Sequence, residues 1–185
     1  MSILKNAISK IQKRLNPCGY WRKQGAVIGD NCEIYPSANF MEPYLIEIGH
    51  HVRINEGVNF VTHDGGVWVL RGLGKEKQDE NIDIFGKIRI GNNVHIATNV
   101  TIMPNVKIGS NVIVGCGAIV THDIPDNSIV VGIPARVIES VDEYYEKNRS
   151  RFVYTKQMTN KEKRKYLMQY FKEDIGVKED ESFQK

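Results

Sequence analysis

The sequence predicts a mainly β protein, a β-helix built from six-residue units, with one helix before it and two after. Three observations carry this. An aliphatic residue returns at every sixth position, at Ile84, Ile90, Ile96, Ile102, Ile108, Val114 and Val120. A second apolar residue follows four positions after most of these, at Ile88, Val94, Val100, Val106, Val112, Ala118 and Ile124, and small residues such as Gly91, Ala97, Gly109 and Gly115 fill the slot between. The period of six matches neither an ordinary helix nor the alternating three-and-four seam of a coiled coil, so each hexad reads as a short strand plus a turn in a stacked repeat.

Three hexads close one triangular coil of eighteen residues, which stacks Ile84 below Ile102 below Val120, with coils roughly 4.8 Å apart. The same frame appears upstream at Ile28, Ile34 and Phe40, with Gly29 and Cys32 in small-residue slots. It slips by two, resumes at Ile48, Ile54 and Phe60, and breaks again after Phe60. The stretch 64–83, rich in glycine and charge, reads as a loop thrown out of the coil; loops of this length inside a compact domain are often functional.

Ahead of the repeats, Leu4, Ile8, Ile11 and Leu15 recur at helical spacing after Ser2, a suitable N-cap, and Pro17 to Gly19 end that helix. Two readings stand for it: packing on the end or side of the solenoid, whose hydrophobic column needs a cap, or lying on an anionic membrane surface through its basic flanks. Behind the repeats, Ser140 with Glu143 and Thr159 with Glu162 have capping-box spacing, which predicts helices over 141–149 and 160–173. The segment 178–185 is polar and expected to fray. The resulting division is 1–25 as helix and lead-in, 26–138 as β-helix with its loop at 64–83, and 139–185 as a helical extension.

Composition removes several function classes. The net charge of +3 over 185 residues, with basic residues scattered and aromatics not interleaved among them, argues against nucleic-acid binding. Lys5, Lys10, Lys13 and Arg14 interrupt the N-terminal apolar residues, which predicts neither a signal peptide nor an integral membrane segment. Cys18, Cys32 and Cys116 fit no metal-ligand spacing and read as reduced thiols of a soluble cytoplasmic protein.

The segment from Ile90 to Ile138, IGNNVHIATNVTIMPNVKIGSNVIVGCGAIVTHDIPDNSIVVGIPARVI, resembles the C-terminal half of the hexapeptide-repeat acyltransferases, above all the galactoside, maltose and related sugar O-acetyltransferases. THDIP and GIPARVI resemble that family's endings, and the likeness spans roughly 26–138. The resemblance implies a left-handed parallel β-helix, an exception to the usual crossover hand, and a homotrimer with active sites between subunits. It further implies acetyl-CoA as co-substrate, a sugar acceptor and no metal.

His63 lies in FVTHDGG, where the repeat gives way to the loop, and matches the family's catalytic histidine. A sugar hydroxyl attacks a thioester at neutral pH only if a base takes its proton, a task suited to an imidazole. Asp64 either orients that imidazole or caps the turn, Asp-Gly being a turn signal. Asn55 aligns with a family asparagine near the acceptor sugar, and reads equally as a corner residue. His95-Ile96-Ala97-Thr98 stands where the family has W-I-G-S, which implies an oxyanion donor at the Thr98 backbone amide. His95 in place of tryptophan is a departure there.

Further along, Gly115, Cys116 and Gly117 resemble the small-residue segment beside the family's pantetheine arm, with Ala97 and Thr98 on the same wall. Thr121, His122 and Arg136 correspond to positions near the CoA phosphates, His122 replacing a lysine. Trp68 and Arg71 in the loop are candidate acceptor contacts, while His50 and His51 read as surface residues. The FVTHDGG segment and the loop after it resemble polysaccharide-modifying members, which points to a surface polysaccharide or its precursor as acceptor. The alternatives are a xenobiotic (antibiotic) acetyltransferase, a non-catalytic repeat scaffold, or a zinc carbonic-anhydrase-like trimer, which needs histidines converging from adjacent coils. His95 and His122 are not separated by a multiple of the eighteen-residue coil.

Overall fold

A computed structural model describes residues 2–175, and side chains from Ile8 to Lys172. The chain divides into two compact units, one through Lys147 and one from Asn148. In the first, the hexads form three walls of short strands. Wall one holds β1 (Val27–Ile28), β4 (Ile46–Ile48), β7 (Ile88–Ile90) and β10 (Lys107–Ile108). Wall two holds β2 (Glu33–Ile34), β5 (Val52–Ile54), β8 (Val94–Ile96), β11 (Val112–Val114), β13 (Ser128–Val131) and β14 (Arg136–Ser140). Wall three holds β3 (Asn39–Phe40), β6 (Asn59–Phe60), β9 (Thr101–Ile102) and β12 (Ile119–Val120). All pairings are parallel except β13 with β14, which turns back and closes the ladder of wall two.

Both apolar positions of each hexad point inward. Ile88, Ile96, Val100, Ile102, Ile108, Val114, Ala118 and Val120 are fully buried and form the column that the period predicts. Ile84 departs from it. Phe60, not Ile84, pairs with Ile102, and Ile84 is half exposed. Its carbonyl accepts from Asp64 N–H at 2.9 Å, Gly86 N–H donates to Thr62 O at 2.8 Å, and His63 and Phe85 form an antiparallel bridge. These bonds make a neck that holds Ile84 outside the coil, so the chain re-enters wall one only at Ile88.

Corner geometry comes from asparagine and glycine. Asn31, His51, Asn93, Asn111 and Asn127 occupy the left-handed region between walls one and two, where asparagine is tolerated better than other side chains. Their amides form a ladder: Asn93 Nδ2 donates to Asn111 Oδ1 at 2.8 Å, and Asn111 Nδ2 to Asn127 Oδ1 at 2.9 Å. His51 Nδ1 lies 2.9 Å from Asn93 Oδ1 and extends that ladder. Beside it, His50 Nδ1 accepts from Asp30 N–H at 3.0 Å, as Asn92 Oδ1 accepts from His50 N–H at 2.7 Å one coil on. The two histidines, expected as plain surface residues, are rungs. Glycine is required next to these rungs: a Cβ on Gly109 would lie 2.6 Å from Asp126 N.

Because His51 holds a backbone conformation that asparagine adopts more readily, His51→Asn should stabilise the fold by about 0.5–1 kcal/mol and raise the melting temperature by roughly 1–4 °C. A melting temperature unchanged or lowered would remove this account of the corner.

The N-terminal end is closed by a helix that periodicity did not anticipate. α1 spans Ser2–Leu15, with Ser2 its first residue rather than a cap outside it. Asn16 then accepts from Gly19 N–H at 2.9 Å and caps α2, Pro17–Lys23, with proline at its start. Pro17 thus ends one helix and opens another. Trp21 of α2 stacks on Phe40 with centroids 4.5 Å apart, and Phe40 packs on Phe60 at 4.5 Å with the rings tilted by 54°, so an aromatic column covers the open end of wall three. α1 meets α2 through polar groups, Ser9 Oγ to Tyr20 OH at 3.5 Å and Lys13 Nζ 4.8 Å from the Trp21 ring, while Ile8, Ile11 and Leu15 face outward. Its apolar stripe is therefore not its packing face.

Both capping boxes form. Ser140 Oγ and N–H donate to Glu143 Oε2 at 2.7 Å ahead of α4 (Val141–Asn148). Thr159 Oγ1 and N–H donate to Glu162 Oε2 at 2.7 and 2.8 Å ahead of α5 (Asn160–Ile175). The expected fraying of 178–185 lies outside the described residues. No helix among the described residues is long and apolar enough to cross a membrane.

Candidate active site

The corner between walls three and one carries the two large interruptions of the repeat. Equivalent residues stand 18 apart in the regular coils, 20 apart across the first slip and 42 apart across the loop. The first slip adds two residues to the connection, in which Pro43 begins a short 3-10 turn. One coil on, Val61 to Lys87 leave and rejoin the solenoid through the neck at His63 and Phe85. The 64–83 excursion is not irregular: it contains α3, Val67–Leu73, and a 3-10 helix, Lys77–Asn81.

These neighbouring insertions bring Glu42 against His63. Imidazole Nδ1 lies 3.0 and 3.1 Å from the two carboxylate oxygens of Glu42, so the acceptor pair calls for a hydrogen on Nδ1. The completely buried Thr62 donates its hydroxyl to Glu42 Oε2 and accepts from Glu42 N–H at 3.0 Å. Phe85 stands edge-on to the imidazole, centroids 6.2 Å apart. The His63 side chain keeps 41% of its surface exposed, against 20% for Glu42, so the ring is held at Nδ1 while part of it faces solvent. Burial pushes the Glu42 carboxyl up, but the hydrogen bonds from Thr62 and His63 and the His63 charge outweigh it and hold it below its ordinary value.

Asp64 is not the partner of this imidazole: its Oδ1 accepts from Gly66 N–H at 2.8 Å and caps the turn into the loop. Arg71 is spent inside the excursion, with Nε and Nη2 donating to Ile82 O at 2.9 and 2.6 Å and a further bond to Asp83. Trp68 remains on the outer face of α3, 78% exposed, with Val69, Leu70 and Leu73 also exposed. Glu42 was missed because its link to His63 is visible only once Phe40 is stacked on Phe60, which sets residue 42 beside residue 62.

The remaining candidates gather at other places. Asn55, Ala97 and Thr98, and Gly115, Cys116 and Gly117 stack along the corner between walls two and three. Asn55 N–H donates to Ile96 O at 3.0 Å, and its buried Oδ1 has no partner among the described residues. Ala97 N–H donates to Val114 O and Asn99 N–H to Glu56 O, while the Thr98 N–H between them enters neither ladder. The Thr98 carbonyl accepts from Gly117 N–H at 2.9 Å. A Cβ on Gly117 would meet nothing within 4 Å, and Cys116 is exposed, so these two residues leave an open ledge, whereas a Cβ on Gly115 would lie 2.8 Å from Val131 Cγ1. Within one chain His63 and the Thr98 amide thus lie at different corners of the triangle.

Thr121 Oγ1 lies 2.8 Å from His122 Nδ1, two coils beyond His63 at the same corner. Arg136, at the start of β14, donates to the carbonyl of Ala135 at 2.8 Å. His95, in the middle of β8, has its pKa lowered by burial and then by the charge of Arg53, its partner in β5. Among the described residues no group of three or more His, Cys, Asp or Glu side chains is placed to hold a metal ion.

Comparison with known proteins places this architecture. Residues 87–122 match the model described as bacterial transferase hexapeptide (six repeats). Protein CapG of Staphylococcus aureus is 44% identical over 174 residues, covering 92% of this chain and 98% of that protein. A hexapeptide-repeat-containing acetyltransferase of Vibrio cholerae, solved with acetyl coenzyme A, superposes with a TM-score of 0.58 at 23% identity over 72% of this chain and 84% of that one. A maltose O-acetyltransferase of Clostridium difficile 630 does so with a TM-score of 0.51 at 26% identity, over 72% and 83%. The chain belongs to the bacterial hexapeptide-repeat transferase family, the acyltransferases whose left-handed parallel β-helix it shares.

Proposed function

We propose that this protein transfers an acetyl group from acetyl-CoA to a sugar hydroxyl of a surface polysaccharide or its precursor, in the cytoplasm, with His63 as general base. The observation that carries this reading is the pose of His63, held at Nδ1 by a carboxylate, with no hydrogen bond to Nε2 among the described residues and a side chain 41% exposed. The likeness to a maltose O-acetyltransferase supports the reaction and a sugar acceptor, and the likeness to Protein CapG supports the family.

When bound, acetyl-CoA supplies the acetyl group as a thioester. His63 Nε2 takes the proton of the acceptor hydroxyl as the new C–O bond forms, and the resulting imidazolium returns it to the leaving sulfur. The Thr98 N–H offers a rigid donor for the charge that develops on the carbonyl oxygen, and the ledge at Cys116 and Gly117 lets the pantetheine arm approach the backbone. Thr121, His122 and Arg136 hold the phosphate end. Asn55, with its unpartnered Oδ1, and Trp68 contact the acceptor. Because His63 and Thr98 occupy different corners, the complete site needs a second chain, and a homotrimer supplies it by setting one subunit's corner against its neighbour's.

The test is an acceptor screen with the purified chain and acetyl-CoA, following free thiol release and the mass of the acceptor. The expected result is stoichiometric thiol with an O-acetylated saccharide. Turnover confined to antibiotic acceptors, or bound zinc without CoA binding, would overturn the reading.

A further inference from the structure

We infer that Glu42 is the positioning residue of the catalytic imidazole, held in place by Thr62, so that the two-residue slip of the first coil is a part of the active site. The inference rests on the reading of His63 as the base and deepens it. Three features of the geometry carry it.

The first is the bond pattern. A neutral imidazole has one donor nitrogen and one acceptor nitrogen. Two carboxylate oxygens at 3.0 and 3.1 Å from Nδ1 favour the form with hydrogen on Nδ1, which leaves Nε2 with the lone pair that a base requires. When Nε2 takes a proton, the ring becomes a cation directly against the carboxylate, and that charge is stabilised where it forms.

The second is that Glu42 is itself fixed. A glutamate has three rotatable bonds, and an exposed one would hold the ring in many poses. Here the Thr62 hydroxyl donates to Oε2 and the same oxygen of Thr62 accepts from the Glu42 backbone N–H, so Glu42 is tied through its carboxylate and its main chain to one residue of the next coil. Thr62 is fully buried, and its hydroxyl has no other acceptor among the described residues; the residue has no packing reason to be polar there.

The third is the register. Asn39 pairs with Asn59 and Phe40 with Phe60, after which both coils leave the regular path. Without the two extra residues in the connection 41–45, the chain would turn directly into wall one, as it does after Met103. The slip keeps Glu42 beside Thr62 and His63, and Pro43 starts the 3-10 turn immediately after it. No lysine or arginine pairs with Glu42 among the described residues, so His63 is its charged partner.

The test uses the full chain in four forms, Glu42→Gln, Glu42→Ala, Thr62→Val and His63→Ala, with two readouts. Steady-state thiol release separates kcat from KM for acetyl-CoA. Nitrogen-15 NMR of the imidazoles, with the His63 signals assigned by their loss in His63→Ala, reports which ring nitrogen bears the hydrogen. The expected result is hydrogen on Nδ1 in the unsubstituted protein and its migration toward Nε2 in Glu42→Ala. With it, kcat should fall about 10²- to 10³-fold in Glu42→Ala and about 10-fold in Glu42→Gln and Thr62→Val, with KM for acetyl-CoA changed less than about twofold. A merely structural Glu42 would lower the melting temperature without moving the hydrogen. Hydrogen on Nε2 in the unsubstituted protein, or kcat within about twofold in a folded Glu42→Ala, would overturn the inference. Full turnover in His63→Ala would instead remove the base assignment, while the NMR readout would still decide whether Glu42 orients the ring.

Discussion

His63→Ala should lower kcat for acetyl transfer by about 10²- to 10⁴-fold, roughly 3 to 5 kcal/mol of barrier, with little change in KM for acetyl-CoA. The loss falls on kcat because a general base acts on the proton that moves as the bond forms, and the substitution alters none of the residues proposed to hold CoA. The fold should survive, since His63 sits on the neck of the excursion and contributes none of the buried column. A far-UV spectrum and melting temperature unchanged beside a collapsed kcat would separate chemistry from stability. Retention of full activity would show that another group takes the proton.

Phe60→Ala should have the largest effect on stability, about 3–5 kcal/mol, equivalent to roughly a 10 °C fall in melting temperature. Phe60 is completely buried, packs on Phe40 and stacks in register with Ile102. Removing it cuts the aromatic column that runs from Trp21 of α2 into the coils, and neighbouring backbones tied in parallel ladders have little freedom to collapse into the cavity. Denaturant unfolding monitored by tryptophan fluorescence would report it, because Trp21 lies in the same stack. A loss below about 1 kcal/mol would mean that the N-terminal end is closed by something else.

Much of this molecule was readable in its residues. The spacing from Ile88 to Val120 specifies both walls and register, because a period-six pattern leaves each inward position only one partner, 18 residues away. The two capping boxes mark their helices because a hydroxyl and a carboxylate at that spacing have one joint use. Ile84 misled because side-chain spacing cannot distinguish a coil from an antiparallel neck of the same phase; only the bonds of Asp64 and Gly86 do. Asn16 before Pro17 is a recognisable helix start and was overshadowed by proline's role as a stop. Glu42 was hidden for a different reason: its neighbourhood with His63 arises from stacking, not from any local motif. His63 itself was marked by the break in the repeat, whereas the turn-capping role of Asp64 and the internal bonds of Arg71 depend on atomic positions that no spacing encodes.

The coil offsets of 20, 42, 18 and 16 in one solenoid have an evolutionary consequence. Lengthening a connection from 18 to 42 residues adds on the order of 1 kcal/mol of closure entropy, while the walls on either side keep the same rungs. The excursion that carries Trp68 and α3 is thus a replaceable cassette. It can change in length and sequence without refitting the coils, so variation in such chains should collect at this one corner and leave the rungs untouched.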